Sequence, residues 1–162
     1  MKKITELINR IIVFCFLLMV ISFLPSFSLA QSQRNDASFA KEVLRYVNEH
    51  RDSMGLAPLQ MNNVISQAAE IHSSNMAQKV VPFGHDGFDE RIGNLLKELS
   101  PANAGAENVA DGVTSAREAV NLWLHSPGHR RNIEGNFNLT GIGIASSSDG
   151  KIYITQIFIH KS

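Results

Sequence analysis

The segment Lys151 to Ile159, KIYITQIFI, is β-branched and apolar on both of its alternating rows. Ile152, Ile154, Gln156 and Phe158 make one row; Tyr153, Thr155, Ile157 and Ile159 make the other. Successive side chains of a strand point to opposite faces. A strand that is largely apolar on both faces must be covered on both sides. A second run of this kind, Thr140 to Ala145, precedes it. Ser148-Asp149-Gly150 lies between them, and Asp-Gly is a strong signal for a hairpin turn. The chain therefore builds an antiparallel hairpin that other elements must cover.

The earlier part of the chain has a helical period. Phe39, Val43, Tyr46, Val47 and His50 recur at helix spacing, with Asp36 as a cap and Gly55 as the terminating residue. Ala57 precedes Pro58 and is extended for that reason. Asn62 or Asn63 opens a second helix, with Ile65, Ala68, His72 and Met76 along one side. Ser115-Ala116-Arg117-Glu118 has the form of a capping box and opens a third helix, striped by Ala116, Val120, Trp123 and Leu124. Helices early and a hairpin late predict an α+β fold, with helices packed on a central antiparallel sheet.

The amino terminus reads as an export signal. Met1-Lys2-Lys3 and Arg10 are followed by an apolar run from Ile11 to Leu24 and by Ser28-Leu29-Ala30, a small-x-small cleavage pattern. That run is short for a membrane span, which needs roughly 20 residues. We expect residues 1–30 to be a signal peptide, 31–37 a polar leader and 38–162 a single domain. The sole cysteine, Cys15, lies in the apolar run, so the domain has no disulfide and its core must stabilise it. The whole chain carries 15 basic and 15 acidic residues; without Lys2, Lys3, Arg10 and Glu6 the balance is 12 to 14. No basic run follows the leader, which excludes a nucleic-acid footprint. No later segment is apolar and long enough to remain in a membrane after signal cleavage. The expected location is secreted, periplasmic or cell-surface.

His125-Ser-Pro-Gly-His129 places two histidines four residues apart, a spacing that suits two zinc ligands on one helix face. Here a helix boundary separates them. Ser126 is a favourable N-cap and Pro127 a favourable first helical residue. His125 thus ends one helix and His129 lies in the first turn of the next. The exposed amides of that turn favour neutral imidazole, the form that ligates metal or accepts a proton. His129 needs partners from elsewhere. His85 sits between glycines in PFGHDGF, and Glu107 lies in the small-residue run AGAENVA. A glutamate is seldom buried without a partner.

FGHDGF, AENVA, AVNLWLHSPGHRRNI and TGIGIA occur in the order seen in bacterial members of the CAP superfamily, which comprises cysteine-rich secretory proteins, antigen 5 and pathogenesis-related 1 proteins. VNEHR and GLAPLQMNNVISQAAEIHSSNMA are similar to its first two helices. The resemblance covers Glu42 to Ile159. It implies a three-layer α-β-α sandwich and a secreted or surface protein with a cleft lined by two histidines and two acids. His85 matches the first histidine, Glu107 the first acid, and His129 the second histidine. The second acid is missing, because Trp123 is followed by Leu124, His125 and Ser126.

This residue set supports two classes of function. The first is a non-enzymatic extracellular protein, its cleft of His85, Glu107 and His129 taking a metal such as zinc, with His85 and His129 as ligands, or a small molecule, lipid or cell-surface component. Sterol and lipid binding by some family members belongs to this class. The second is a metal-dependent hydrolase or peptidase with Glu107 as candidate base. The missing acid favours the first. The chain has no HExxH pair and no Gly-x-Ser-x-Gly elbow. Gly141 and Gly143 lack the third glycine of a nucleotide loop, and in a strand they permit close packing. His72 reads as a core histidine with a hydrogen-bond partner, and His50 and His160 as exposed termini. Arg130 and Arg131 read as a solvated face.

Overall fold

The computed structural model describes residues 36–162, so the expected signal peptide and residues 31–35 of the leader lie outside the described residues. The first helix, α1, has its described part over residues 36–53. There follow β1 (Gln60–Met61), α2 (Asn63–Ala77), α3 (Phe88–Glu98), β2 (Ala102–Asp111), α4 (Ala116–His125), α5 (Pro127–Ile133), β3 (Leu139–Ser146) and β4 (Ile152–Lys161).

The strands form one sheet in the order β1-β3-β4-β2. The three long strands are antiparallel; β1 adds a two-residue parallel edge beside β3. β4 is interior to the sheet and is buried from Tyr153 through Ile159, as its two apolar rows require. The even-numbered row meets one layer: Ile154 and Phe158 pack with Val43 and Val47 of α1, Val120 and Trp123 of α4, and Ile133 of α5. The odd-numbered row meets the other: Ile157 and Ile159 pack with Ile65 and Ala69 of α2 and Ile92 and Leu95 of α3. The result is the expected three-layer α-β-α sandwich.

Local chemistry sets the element ends. Asn62 caps α2, its side-chain oxygen accepting from the amides of Val64 and Ile65 at 3.0 and 3.2 Å. Ser115 caps α4 by accepting from the Glu118 amide. The return arm differs from an ordinary capping box: the Glu118 carboxylate reaches the amide and hydroxyl of Thr114, one residue further out. Residue 36 is already helical, so the first helix does not begin after Asp36. Gly150 adopts φ +82° in the β3–β4 turn, as the Asp-Gly signal requires.

Two elements go beyond the sequence expectations. The stretch after His85 forms α3, with Asp89 and Glu90 in its first turn and Ile92 and Leu95 buried. The small-residue run around Glu107 is β2, paired along its length with β4. α2 lies directly against β3: a Cβ on Gly141 or Gly143 would stand 2.2 or 2.1 Å from backbone nitrogens of α2. The glycines of TGIGIA are thus there for close helix–sheet approach.

Candidate functional site

Glu107 belongs to the β2 row that faces α2 and α3, and its side chain is wholly buried. A buried carboxylate must be paired and hydrogen-bonded. Arg91 of α3 supplies the pairing: its Nε donates to Oε2 at 2.8 Å and its Nη2 to Oε1 at 3.0 Å. This is a two-pronged guanidinium–carboxylate fork. A third N–H arrives from His85, whose Nδ1 lies 2.9 Å from Oε1. The carboxylate only accepts, so Nδ1 carries the hydrogen, and in the neutral ring Nε2 is the nitrogen with the free lone pair. A carboxylate that orients a histidine in this way is a common support for a metal-ligating imidazole. About half of the His85 side chain is exposed.

His72 completes the group from α2. Its Nε2 donates to the Gly84 carbonyl at 2.9 Å and stands 3.8 Å from Oε1 of Glu107. The sequence expectation of a core histidine with a partner holds, and its partner anchors the loop that carries His85.

The turn that carries His129 is held on β2 by two carboxamides, the buried Asn108 and the partly buried Asn132. The Asn108 side chain donates to the His129 carbonyl at 3.1 Å. Asn132, one turn further along α5, donates to Oδ1 of Asn108 at 2.8 Å and to the Glu107 carbonyl at 3.1 Å. The first turn of α5 is therefore pinned to β2 at residues 107 and 108. The His129 ring is partly buried, and its nitrogens make no hydrogen bond among the described residues. Burial, and behind it the neighbouring His85, hold its pKa below the ordinary 6.5. Burial also lowers His72, with Arg91 and His85 adding to the shift.

These shifts have a sign that stability should report. The folded protein resists protonating His72 and His129, whereas the unfolded chain takes protons at the ordinary histidine value. Their contribution is complete above pH 6.5 and declines as pH falls through that value. We expect the urea midpoint to fall between about pH 7.5 and about pH 5. His72→Gln keeps a donor for Gly84 and should flatten that fall. An equally steep fall in the variant would assign it to other groups.

His85, Glu107 and His129 are thus tied to one sheet edge, while His125 stands apart. His125 is exposed on α4 and its Nδ1 meets the Asn121 carbonyl. The helix break between the pair is as expected, with Ser126 extended and Pro127 opening α5, although the Ser126 side chain makes no cap bond. His50 departs from the expectation of an exposed end: its ring is mostly buried and lies 2.8 Å from Glu134, which also pairs with Arg130. Among the described residues, no three His, Cys, Asp or Glu side chains are grouped to hold a metal ion. Arg91, Asn108 and Asn132 were not singled out from sequence. Arg91 was legible in principle, since a buried Glu107 calls for a cation and Ile92, Leu95 and Leu99 repeat at helix spacing around it.

A family model described as the cysteine-rich secretory protein family, CAP, matches residues 44–158. The chain is 35% identical over 133 residues to the uncharacterized protein YkwD of Bacillus subtilis, covering 77% of this chain and 48% of that one. It spans about half the length of that curated relative. A solved extracellular protein containing an SCP domain, from Bacillus anthracis, is similar with a TM-score of 0.62 and 26% identity over 78% of this chain and 41% of its own. An outer surface protein of Borrelia burgdorferi shares the fold with a TM-score of 0.63 and 20% identity, over 75% of this chain and 92% of its own.

Proposed function

The chain belongs to the cysteine-rich secretory protein family, and on that premise we propose that it is an extracellular binding domain that holds a divalent metal ion or a small ligand at His85 and His129 without chemical turnover. The observation that carries this reading is the state of Glu107. Both of its oxygens already accept N–H groups from Arg91 and His85, and its side chain is fully buried. A general base must reach the proton it removes. A carboxylate spent on a guanidinium and an imidazole instead fixes the tautomer of His85.

The donors fit a two-imidazole site better than the three-protein-ligand arrangement usual for catalytic zinc. His85 would ligate through Nε2, and His129 through a ring kept neutral by its partial burial. A bound ion would supply positive charge for an anionic or carbonyl-bearing ligand. Export is supported by the expected signal peptide and by the extracellular description of the Bacillus anthracis protein. Among the described residues no helix is long and apolar enough to cross a membrane.

The test is zinc titration by calorimetry on the purified protein. We expect one-to-one binding that is lost in His85→Ala and in His129→Ala and kept in His125→Ala. Absence of binding in the parent protein would remove the metal from this reading. Hydrolysis of a peptide library, abolished by Glu107→Gln, would replace it with a metal-dependent hydrolase.

A further inference from the structure

Between α2 and α3 runs a groove of about 590 Å³ that neither His85 nor His129 lines, although His72 and Arg91 of the group around Glu107 do. Val64, Ala68 and Ile71 of α2, Leu95 of α3 and Val81 supply its apolar lining. These positions follow helix spacing, so the apolar strip runs along the helix axes. Ile71 is 62% exposed, a large apolar side chain left to solvent beside this strip. Three carboxylates stand on its α3 side: Asp86, Glu90 and Glu98. None of them has an ion-pair partner among the described residues. The one cation lining the groove, Arg91, is committed to Glu107. Gln67, Asn75 and Asn94 add carboxamides that both donate and accept.

We propose that this groove docks a short cationic peptide segment of a partner protein, with basic side chains on the acidic rim and an apolar side chain against Ile71. Charge complementarity chooses the occupant. An anionic lipid headgroup would meet three uncompensated carboxylates. A metal ion lacks a cluster, since no such group exists among the described residues. From Val64 to Asn75, α2 rises roughly 16 Å, which an extended peptide spans with about five residues. The carboxamides are placed to meet the backbone of an extended segment, while apolar and charged contacts select side chains.

The probe is a fluorescein-labelled peptide of alternating lysine and leucine, about seven residues long so that it overhangs the groove. Fluorescence anisotropy should show saturable one-to-one binding. Glu90→Lys with Glu98→Lys should weaken it by roughly tenfold or more at low salt, and the neutral Ile71→Asn should weaken it likewise. All three positions are exposed, and circular dichroism confirms that each variant is folded. The paired control Glu42→Lys with Asp52→Lys, on α1 across the sheet, should leave binding unchanged. A peptide with serine in place of leucine should bind poorly. No saturable binding, or equal loss in the control pair, would overturn the proposal. So would self-association of the protein abolished by Ile71→Asn, which assigns the groove to a second copy. Binding to phosphatidylcholine vesicles through Ile71, with none to the peptide, would assign it to a membrane.

Discussion

Replacing Arg51 by methionine should destabilise the protein by about 3–5 kcal/mol, because buried acceptors that lose their donor cost about 1–3 kcal/mol each. Arg51 is 2% exposed. Its guanidinium donates to four backbone carbonyls: Ala57 at 2.8 Å, Ile133 at 2.7 Å, Gly135 at 2.9 Å and Phe137 at 3.1 Å. Burial lowers its pKa, yet an arginine remains charged throughout the working range. Two of the carbonyls lie at and just beyond the C-terminal end of α5, where the helix dipole also favours a cation. Methionine fills much of the volume but takes the side-chain donor from the Ala57, Ile133 and Phe137 carbonyls, while Gly135 keeps the Phe137 amide; a buried acceptor left unmatched costs about 1–3 kcal/mol. Lysine keeps the charge but cannot present the planar fork, so Arg51→Lys should fall between parent and Arg51→Met. Urea unfolding followed by circular dichroism gives the ranking. A second consequence follows for the site. α5 carries His129, so backbone hydrogen exchange across Pro127–Ile133 should quicken in Arg51→Lys even under conditions where the protein stays folded. A midpoint change worth under about 1 kcal/mol for Arg51→Met would show that water satisfies those carbonyls.

Gly143→Ala should cost about 3 kcal/mol, the top of the usual overpacking range. The added Cβ would sit 2.1 Å from the Glu70 nitrogen and 2.2 Å from the Ala69 carbonyl carbon. These are backbone atoms inside a helix, with no rotamer that moves them aside. α2 must lift from β3, and Ile65 and Ala69, both fully buried, lose contact with the sheet. The same chemical change at Gly93 of α3 should have the opposite sign. A Cβ there meets nothing within 4 Å, and alanine in a helix interior is favoured over glycine by about 0.5–1 kcal/mol. Thermal unfolding of the two variants side by side separates close packing from backbone freedom. A stabilised Gly143→Ala protein would mean that α2 does not press on β3 as closely as described.

Both large effects sit at residues whose type was visible in sequence and whose environment was not. Arg51 lay in VNEHR near the end of a helix; nothing local distinguishes a charged helix end in water from one enclosed by four carbonyls contributed by residues up to 86 positions away. Gly141 and Gly143 were legible as packing glycines, because an interior strand weakens with glycine unless something approaches closely. The element that approaches, α2, was a matter of tertiary arrangement. The hidden helix α3 shows the opposite case. Its Ile92, Leu95 and Leu99 spacing was present in the chain, but short helices between glycine-flanked loops carry a weak periodic signal.

For the candidate site, the residue types picked out His85, Glu107 and His129 as candidates and separated His129 from His125. The helix break at Ser126-Pro127 is a local matter of backbone dihedral preference and one missing amide, so sequence suffices for it. What each group does was decided by the fold. Glu107 changes from a candidate base into a buried orienting carboxylate because α3 delivers Arg91 and the preceding loop delivers His85 to the same pair of oxygens. Sequence by itself determined the helical period of α1, α2 and α4, the two covered faces of β4 and the residue types proposed as ligands. Only the tertiary structure decided who shares a hydrogen with whom, because desolvation and pairing arise between residues that the chain keeps far apart.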